Sequence, residues 1–208
     1  MKRKDKILIQ AQLQFNEQGI SAVSLKAIAK AMKISYGNVT YHFANKAQLV
    51  GQLYANMLTE HQQISMAFGA QKNLLEAIIL APNDTFEISF RYRFLFIDFA
   101  TIIRQYPDIH QQQQQLTATR MEALAPIFDL LKQQGYFRTE IPPSQIQHLM
   151  QISGAIRTFF FMHHYTEIEQ TKNLEDIKRS YLLYVNQLLY PYLTPSGIQV
   201  YKEVLNLE

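Results

Sequence analysis

The 208-residue sequence contains no cysteine. This absence excludes a disulfide framework, a cysteine-ligated zinc site and a thiol nucleophile, and it suits a reducing compartment. Glycine and proline are also scarce, with seven of each. So few chain breakers favour long helices over an architecture of many turns and strands.

Long apolar runs are missing as well. No segment approaches 18 uninterrupted apolar residues, so we expect no membrane-spanning helix and no contact with a membrane. The basic start of the chain is soon followed by Gln10, Gln12 and Gln14 instead of an apolar stretch and a cleavage site, which argues against a signal peptide. We therefore expect a cytoplasmic protein.

Charge is unevenly distributed along the chain. Residues 1–46 hold eight lysines and arginines against two acidic residues, a net charge of +6, whereas the rest of the chain carries −3. A basic head on a slightly acidic body indicates a polyanionic partner for the head. Taken alone, this charge is equally consistent with a solvated run at the N-terminus.

Apolar residues at helical spacing predict an all-α protein. Three short helices are expected in the head, at 4–18, 24–32 and 35–42. Gly19 is suited to end the first helix, and Ser24 and Ser35 are suited to cap the second and third. The break at Lys33 and Ile34 is so short that these two helices form a helix-turn-helix.

The remainder of the chain predicts longer helices. A fourth helix begins after the capping residue Asn45 and runs to about Phe68. A short helix at 73–80 ends before Pro82, and Pro126 is expected to kink or divide a later helix. The other predicted helices are 85–105, 111–134, 143–165, 174–193 and 196–206.

The segment from Gly19 to Leu49 carries a specific pattern at fixed spacing. Its landmarks are Gly19, Ser24, the pair Ile28-Ala29, the turn Ile34-Ser35 with Gly37 beyond it, the run Tyr41-His42-Phe43, then Asn45-Lys46 and Leu49. Through them, residues 4–50 resemble the DNA-binding domain of TetR-family regulators. The resemblance implies an N-terminal three-helix helix-turn-helix DNA-binding domain at 1–46. It also implies a C-terminal helical ligand-binding and dimerisation domain at 47–208.

By this resemblance, the exposed start of the third helix reads base edges in the major groove. The residues assigned to this role are Ser35, Tyr36, Gly37 and Asn38. The residues assigned to the DNA backbone are Lys26, Thr40, Tyr41, His42 and Lys46. Thr40 departs from the family pattern, which often has an aromatic residue there, and a threonine hydroxyl has a shorter reach. Packing between helices is the alternative for Tyr41 and His42, and plain surface charge is the alternative for Lys26 and Lys46.

The resemblance also implies a homodimer built from the last two long helices. Their apolar faces would be hard for a monomer to cover. The residues of these faces are Ala155, Ile156, Phe159, Tyr181, Leu182, Val185, Leu188 and Leu189. A symmetric dimer holds its two recognition helices about 34–36 Å apart, so the double-stranded operator is expected to be palindromic.

Aromatic residues set among a few polar groups predict an effector pocket in the body. The candidates are Phe94, Asp98, Arg157, Phe160, Phe161 and His164. A buried Arg157 needs a partner, which is either Asp98 or an anionic ligand. Ordinary core packing is the alternative for all six. We expect a small apolar or aromatic effector, and the sequence leaves open whether it carries an anionic group. We expect neither a cofactor nor a metal.

The resemblance therefore implies a ligand-released homodimeric repressor that binds operator DNA. The sequence contains no nucleophile elbow, phosphate-binding loop, dinucleotide fingerprint or metalloprotease His-Glu-x-x-His motif, which argues against an enzyme. The remaining alternative is a helical adaptor protein without DNA readout.

Overall fold

The computed structural model describes residues 2–67, 73–170 and 173–208. Across these ranges the chain is all-α, as predicted, and forms no β-strand beyond an isolated bridge between Phe137 and Leu193. In the same ranges, no helix is long and apolar enough to cross a membrane.

The described residues form twelve α-helices and a short 3-10 helix at Tyr190–Tyr192. The α-helices are α1 (Arg3–Gln18), α2 (Leu25–Ala31), α3 (Tyr36–His42), α4 (Lys46–Ala67), α5 (Leu74–Arg91), α6 (Phe94–Ile97), α7 (Phe99–Gln105), α8 (Pro107–Gln133), α9 (Pro143–His163), α10 (Tyr165–Gln170), α11 (Leu174–Gln187) and α12 (Pro195–Leu205).

The chain divides into two compact units. The first is made of Met1–Gln62 and Ile88–Gln112, and the second of Gln63–Glu87 and Gln113–Glu208. The first unit therefore holds α6 and α7 in addition to the three N-terminal helices and most of α4.

Helix α1 supplies one wall of the core of the first unit. Its apolar stripe, made of Ile7, Ala11 and Phe15 at intervals of four residues, is buried. The Phe15 ring lies 5.2 Å from the ring of Phe94 in α6, measured between centroids. Gly19 ends α1 with a φ of +78°, a conformation that glycine adopts at little cost.

The second unit has its own apolar core. Leu75 and Ile79 of α5, Leu131 of α8 and Phe137 after α8 are fully buried. The Phe137 ring meets the Phe128 ring edge-on, with 5.3 Å between centroids. Helices from distant parts of the chain therefore share one interior, which is the usual way for helices to bury their apolar faces.

The prediction that a helix ends before Pro82 is wrong, because α5 continues through this residue to Arg91. Proline lacks the amide that would bond to the carbonyl four residues earlier and crowds the preceding turn. The carbonyl that Pro82 leaves without its helical donor is that of Ile78. A tertiary contact is made at the next carbonyl of the same turn, since Asn186 of α11 donates from Nδ2 to the carbonyl of Ile79 at 2.8 Å. Because Asn186 is so far from Ile79 in the chain, the local sequence pattern cannot predict this bond.

The single helix predicted at 85–105 is also wrong. The chain forms the end of α5, the short α6 and then α7. Asn16 of α1 donates from Nδ2 to the carbonyl of Arg91 at 2.8 Å and accepts the amide of Phe94 on Oδ1 at 3.1 Å. Both bonds are made where α5 ends and α6 begins. The Asn16 side chain of α1 therefore provides the hydrogen-bond partners for two backbone groups at this junction.

The remaining boundaries largely follow the predictions. Helix α8 passes Pro126 without interruption, so of the two expected outcomes the division is wrong, and the kink stays a prediction. The helix starts at Pro107, whose missing amide is harmless in a first turn. Helices α9 and α11 end earlier than predicted, at His163 and Gln187. The predicted end of the fourth helix near Phe68 lies outside the described residues.

Candidate DNA interface

Helices α2 and α3 form the predicted helix-turn-helix, and both serine caps are confirmed. Ser24 Oγ accepts the amide of Ala27 at 3.1 Å, and Ser35 Oγ accepts the amide of Asn38 at 3.3 Å. Each cap satisfies an amide that the helix start leaves without a partner. The cap predicted at Asn45 is also present, because its Oδ1 accepts the amide of Gln48 at 2.9 Å.

The turn between α2 and α3 is tight because Lys33 has a left-handed backbone, with a φ of 54°. Immediately beyond it, the amide of Ile34 bonds to the carbonyl of Ala29 at 3.0 Å. This bond closes the end of α2 in the manner usually associated with a glycine at the Lys33 position. The break predicted at Lys33 and Ile34 is thus confirmed.

Helix α3 has only one buried residue. Val39 is the buried member of its seven residues, and Tyr36, Gly37, Asn38 and Tyr41 are exposed. Tyr41 is 86 % exposed, an unusual position for a large aromatic side chain in a folded chain. A short helix held by one apolar residue leaves most of its surface available to a partner.

Hydrogen bonds within α3 organise its polar side chains. Asn38 Nδ2 donates to Ser35 Oγ at 2.8 Å, which orients the amide at the start of the helix. The Thr40 hydroxyl lies 3.3 Å from the carbonyls of both Tyr36 and Gly37, so it donates to its own helix.

Two aromatic contacts extend this surface. The Lys26 ammonium lies 5.7 Å from the centre of the Tyr36 ring, which places a cation beside the first residue of α3. The rings of Tyr41 and His42 meet edge-on, with 5.1 Å between centroids. Seven of the residues assigned to DNA therefore lie on α3 or its cap, and Lys26 lies next to them.

The side chain of Lys46, the ninth residue assigned to DNA, contacts other parts of the protein. Its ammonium donates to the carbonyl of Ile20, in the turn between α1 and α2. Its Nζ also lies 5.6 Å from the centre of the Phe15 ring. Burial lowers the pKa of Lys46, and the negative charge of Asp98 opposes that decrease.

The six predicted effector residues fall in different units of the chain, two in the first and four in the second. Phe94 and Asp98 belong to the first unit, where Phe94 meets Phe15 of α1 and Asp98 Oδ2 accepts the amide of Ile20 at 2.7 Å. The other four, Arg157, Phe160, Phe161 and His164, belong to the second unit. Within the first unit Asp98 therefore bonds to the turn between α1 and α2, and its pairing with Arg157 stays a prediction.

The four residues of the second unit lie on α9 or at its end. Phe160 and Phe161 pack with Tyr181 of α11 at centroid distances of 5.0 and 5.9 Å, and the His164 ring stacks on Phe160 at 4.1 Å. Arg157 is half-buried and donates to two neutral hydroxyls, Ser153 Oγ at 3.3 Å and Thr85 Oγ1 at 3.5 Å.

Two polar residues on the buried face of α1 were missed by sequence reasoning. Asn16 bridges Arg91 and Phe94 as described above, and Gln12 donates to the same Arg91 carbonyl at 3.1 Å. Their signal was available, because both lie beside the apolar stripe of α1 yet are polar. A polar residue in such a position must find a partner when the helix is buried.

Two family models match this chain. The model of bacterial regulatory proteins of the tetR family matches residues 7–53, and the bacterial transcriptional repressor model TetR matches residues 53–201. The chain belongs to the TetR family. This TetR-family protein is therefore a transcriptional regulator with a helix-turn-helix for DNA binding, and it is not an enzyme.

Solved structures share the TetR-family fold over most of the chain. A TetR-family regulator from Marinobacter aquaeolei VT8 has a TM-score of 0.84 and 23% identity, with 99% of this chain and 98% of that chain covered. The fatty acid degradation regulator FadR from Bacillus halodurans has a TM-score of 0.68 and 18% identity, covering 91% and 95%. SmeT in its triclosan complex has a TM-score of 0.64 and 16% identity, covering 93% of both chains. Among curated protein sequences, none matches this chain.

Proposed function

We propose that this TetR-family regulator is a homodimeric repressor in the cytoplasm that binds a palindromic operator and leaves it when a small molecule binds. In this proposal residues 1–46 form the DNA-binding domain, and residues 47–208 bind the effector and dimerise. The observation that carries the proposal is the surface of α3, which is buried only at Val39 and lies next to the Lys26 ammonium.

Base reading is assigned to the start of α3, at Ser35, Tyr36, Gly37 and Asn38. The Asn38 amide uses one of its two N–H groups on Ser35 Oγ. Its second N–H and its carbonyl oxygen are the pair that recognises an adenine edge in the major groove. The bond to Ser35 therefore orients the amide and leaves its recognition atoms for a base.

Backbone contacts are assigned to Lys26, Thr40, Tyr41 and His42. Lys26 supplies charge, and the exposed Tyr41 hydroxyl supplies a donor for phosphate oxygens. Because the Thr40 hydroxyl proton is directed at carbonyls of α3, we expect Thr40 to contribute less than Tyr41. The sequence also assigned Lys46 to this group, and its inward contact leads to a different proposal below.

The proposed dimer face is an exposed apolar stripe on α9. Ile152, Ala155, Phe159 and Met162 recur at helical spacing and are exposed, with Phe159 at 58 %. Three residues that the sequence placed on the dimer face, Tyr181, Val185 and Leu189, are instead buried within the chain. We therefore assign the contact with a second copy to the α9 stripe.

The proposed effector has an apolar or aromatic body and carries an anionic group. Among the described residues of the second unit, no carboxylate lies within 4 Å of the Arg157 guanidinium, although the side chain is half-buried. A guanidinium in such a place favours a carboxylate or phosphate ligand. SmeT, a protein of the same fold, binds triclosan, which supports a small-molecule effector for this chain.

The first experiment is selection of bound fragments from genomic DNA by the purified protein, followed by sequencing. Recovery of a palindrome supports the repressor, and no enrichment over bulk DNA favours the helical adaptor. A dimer that neutralises about 6–10 phosphates should lose roughly 10³–10⁵ in affinity between about 50 and 200 mM salt. An adaptor shows no such dependence.

The recovered palindrome then serves as the probe for effectors. A panel of small aromatic and aliphatic acids is added to the protein–operator complex, together with the uncharged amide of each acid. We expect an acid to release the operator where its amide does not. Arg157→Met should remove that difference without changing operator affinity in the absence of effector. Release by acid and amide alike would remove the anionic group from the proposal.

A further inference from the structure

Ile20, in the turn between α1 and α2, is held from both sides by charged side chains. Its amide donates to Asp98 Oδ2 at 2.7 Å, and its carbonyl accepts from the Lys46 ammonium. Asp98 lies between α6 and α7, and Lys46 is the first residue of α4. Ile20 itself is fully buried. We refer to this arrangement of Asp98, Ile20 and Lys46 as the Ile20 clamp.

The two bonds of the Ile20 clamp are of the strong kind. Each joins a backbone group to an ionised side chain, and such bonds are shorter and stronger than those between neutral groups. Burial lowers the pKa of Lys46, and the negative charge of Asp98 on the other side of Ile20 opposes that decrease. Gly19, immediately before Ile20, has a φ of +78° and its Cα faces the Asp98 carboxylate closely, since an added Cβ would lie 3.4 Å from Oδ2.

The position of the clamp relates it to DNA binding. The turn that contains Ile20 leads to Ser24, the cap of α2, and Lys46 follows α3 by four residues. The helix-turn-helix is therefore fixed at both of its ends by contacts to the same residue. A recognition helix must be held accurately in a groove about 12 Å wide, so loosening either end should reduce affinity for every sequence.

We propose that Asp98 and Lys46 are positioning residues for DNA binding, which act through the backbone of Ile20, and that Lys46 does not neutralise a phosphate. This proposal rests on the proposed assignment of α3 to the operator. It separates Lys46 from Lys26, which the sequence had placed in the same class of backbone contact.

Salt dependence distinguishes the two roles of a lysine. A lysine that neutralises a phosphate contributes close to one unit to the slope of log affinity against log salt, whereas a positioning lysine contributes none. We would measure operator affinity across salt concentrations for the full-length protein and for Lys46→Met and Lys26→Met. We expect both variants to bind about tenfold more weakly, with a reduced slope for Lys26→Met and an unchanged slope for Lys46→Met. An equal reduction in slope for both would overturn the proposal.

Substitutions at Asp98 test the other half of the clamp. Asp98→Asn keeps an oxygen that accepts the Ile20 amide, and Asp98→Ala removes it. We expect Asp98→Ala to weaken operator binding about tenfold and Asp98→Asn to recover most of that loss. In the double variant Asp98→Ala, Lys46→Met, the two losses should be less than additive because both act on Ile20. Equal affinities for Asp98→Ala and wild type would contradict the proposal.

Hydrogen exchange at the Ile20 amide supplies a readout without DNA. We expect the amide to exchange faster in Asp98→Ala than in wild type, and the exposed variant Tyr41→Phe to leave its exchange unchanged. If the wild-type protein binds no operator, the proposed function fails while this measurement still tests the clamp. If the wild-type protein binds the operator but the Ile20 amide exchanges equally fast in Asp98→Ala and wild type, the clamp fails and the proposed function stands.

Discussion

Asn186 of α11 donates to the carbonyl of Ile79, in the turn of α5 that precedes Pro82. The side chain is fully buried, and its Nδ2 also lies 3.0 Å from the carbonyl of Leu182 in its own helix. A side chain from α11 thus supports a proline-containing turn more than 100 residues away in the chain.

Removing this side chain should destabilise the protein. We expect Asn186→Ala to lower the free energy of unfolding by about 1–3 kcal/mol, because a buried carbonyl loses its donor. The same substitution should cost less in a Pro82→Ala background, because without the proline ring the turn relaxes and the Asn83 amide of α5 can serve the Ile79 carbonyl. Urea denaturation of the four proteins measures both costs, and equal costs would show that the bond is unrelated to the proline.

Asn38 should specify a base. We expect Asn38→Ala to reduce operator affinity by about 1–3 kcal/mol and to relax the preference at one base position in each half-site. The matched control is Lys26→Met, which should weaken binding to all sequences alike. Selection of operator variants by the three proteins checks this, and an unchanged base preference in Asn38→Ala would remove it from the readout.

Gly37 should be important for operator binding but not for the stability of the fold. A Cβ added at Gly37 would meet only Ser35 Oγ, at 3.8 Å, so the folded chain has room for alanine. We expect Gly37→Ala to keep or raise the melting temperature, since alanine is favoured in helices. Operator binding should weaken by about 1–3 kcal/mol because the methyl group enters the space between helix and duplex.

A second glycine provides the control for this prediction. Gly51 lies inside α4 with no atom within 4 Å of an added Cβ. Gly51→Ala should have a similar effect on melting temperature and leave operator affinity unchanged. Thermal denaturation and operator titration of both variants distinguish the cases, and equal affinities would mean that Gly37 does not face the duplex.

Phe159 should hold two copies together. Because its side chain is largely exposed, we expect Phe159→Glu to fold normally but to sediment as a monomer at concentrations where the wild type is a dimer. Leu130→Glu, at an exposed leucine of α8, is the control and should remain dimeric. A dimeric Phe159→Glu protein would place the interface elsewhere.

Stability should fall in alkali because of Tyr92. Burial, together with a 2.7 Å hydrogen bond to Glu60 and its charge, raises the pKa of Tyr92 above the ordinary 10.0. Above that pH the unfolded chain loses a proton that the folded chain keeps, so the free energy of unfolding decreases as pH rises; below it, Tyr92 contributes no slope.

Denaturation at about pH 9 and about pH 11 checks the effect of Tyr92. We expect Tyr92→Phe to reduce the loss of stability between the two, and not to abolish it, because burial also raises the pKa of Tyr106 and Tyr201. The exposed Tyr41→Phe is the control. An identical loss in Tyr92→Phe and wild type would contradict the assignment.

Local sequence determined the helix-turn-helix and its surface. The serine caps, the break after α2 and the exposure of Tyr36 and Asn38 follow from interactions within a few residues, and such interactions can be read from spacing. The all-α class also followed from the sequence, because helical periodicity extends through most of the chain. These features need no knowledge of distant partners.

Tertiary structure alone decided the continuity of α5 through Pro82, the division of 85–105 and the direction of Lys46. Each depends on a partner far away in the chain: Asn186 for the turn before Pro82, Asn16 for the α5–α6 junction, and Ile20 for Lys46. The local sequence of a lysine at the start of a helix does not show whether its side chain contacts a phosphate or a buried carbonyl. Only packing selects between them, because it determines which groups lose water and must find a partner within the protein.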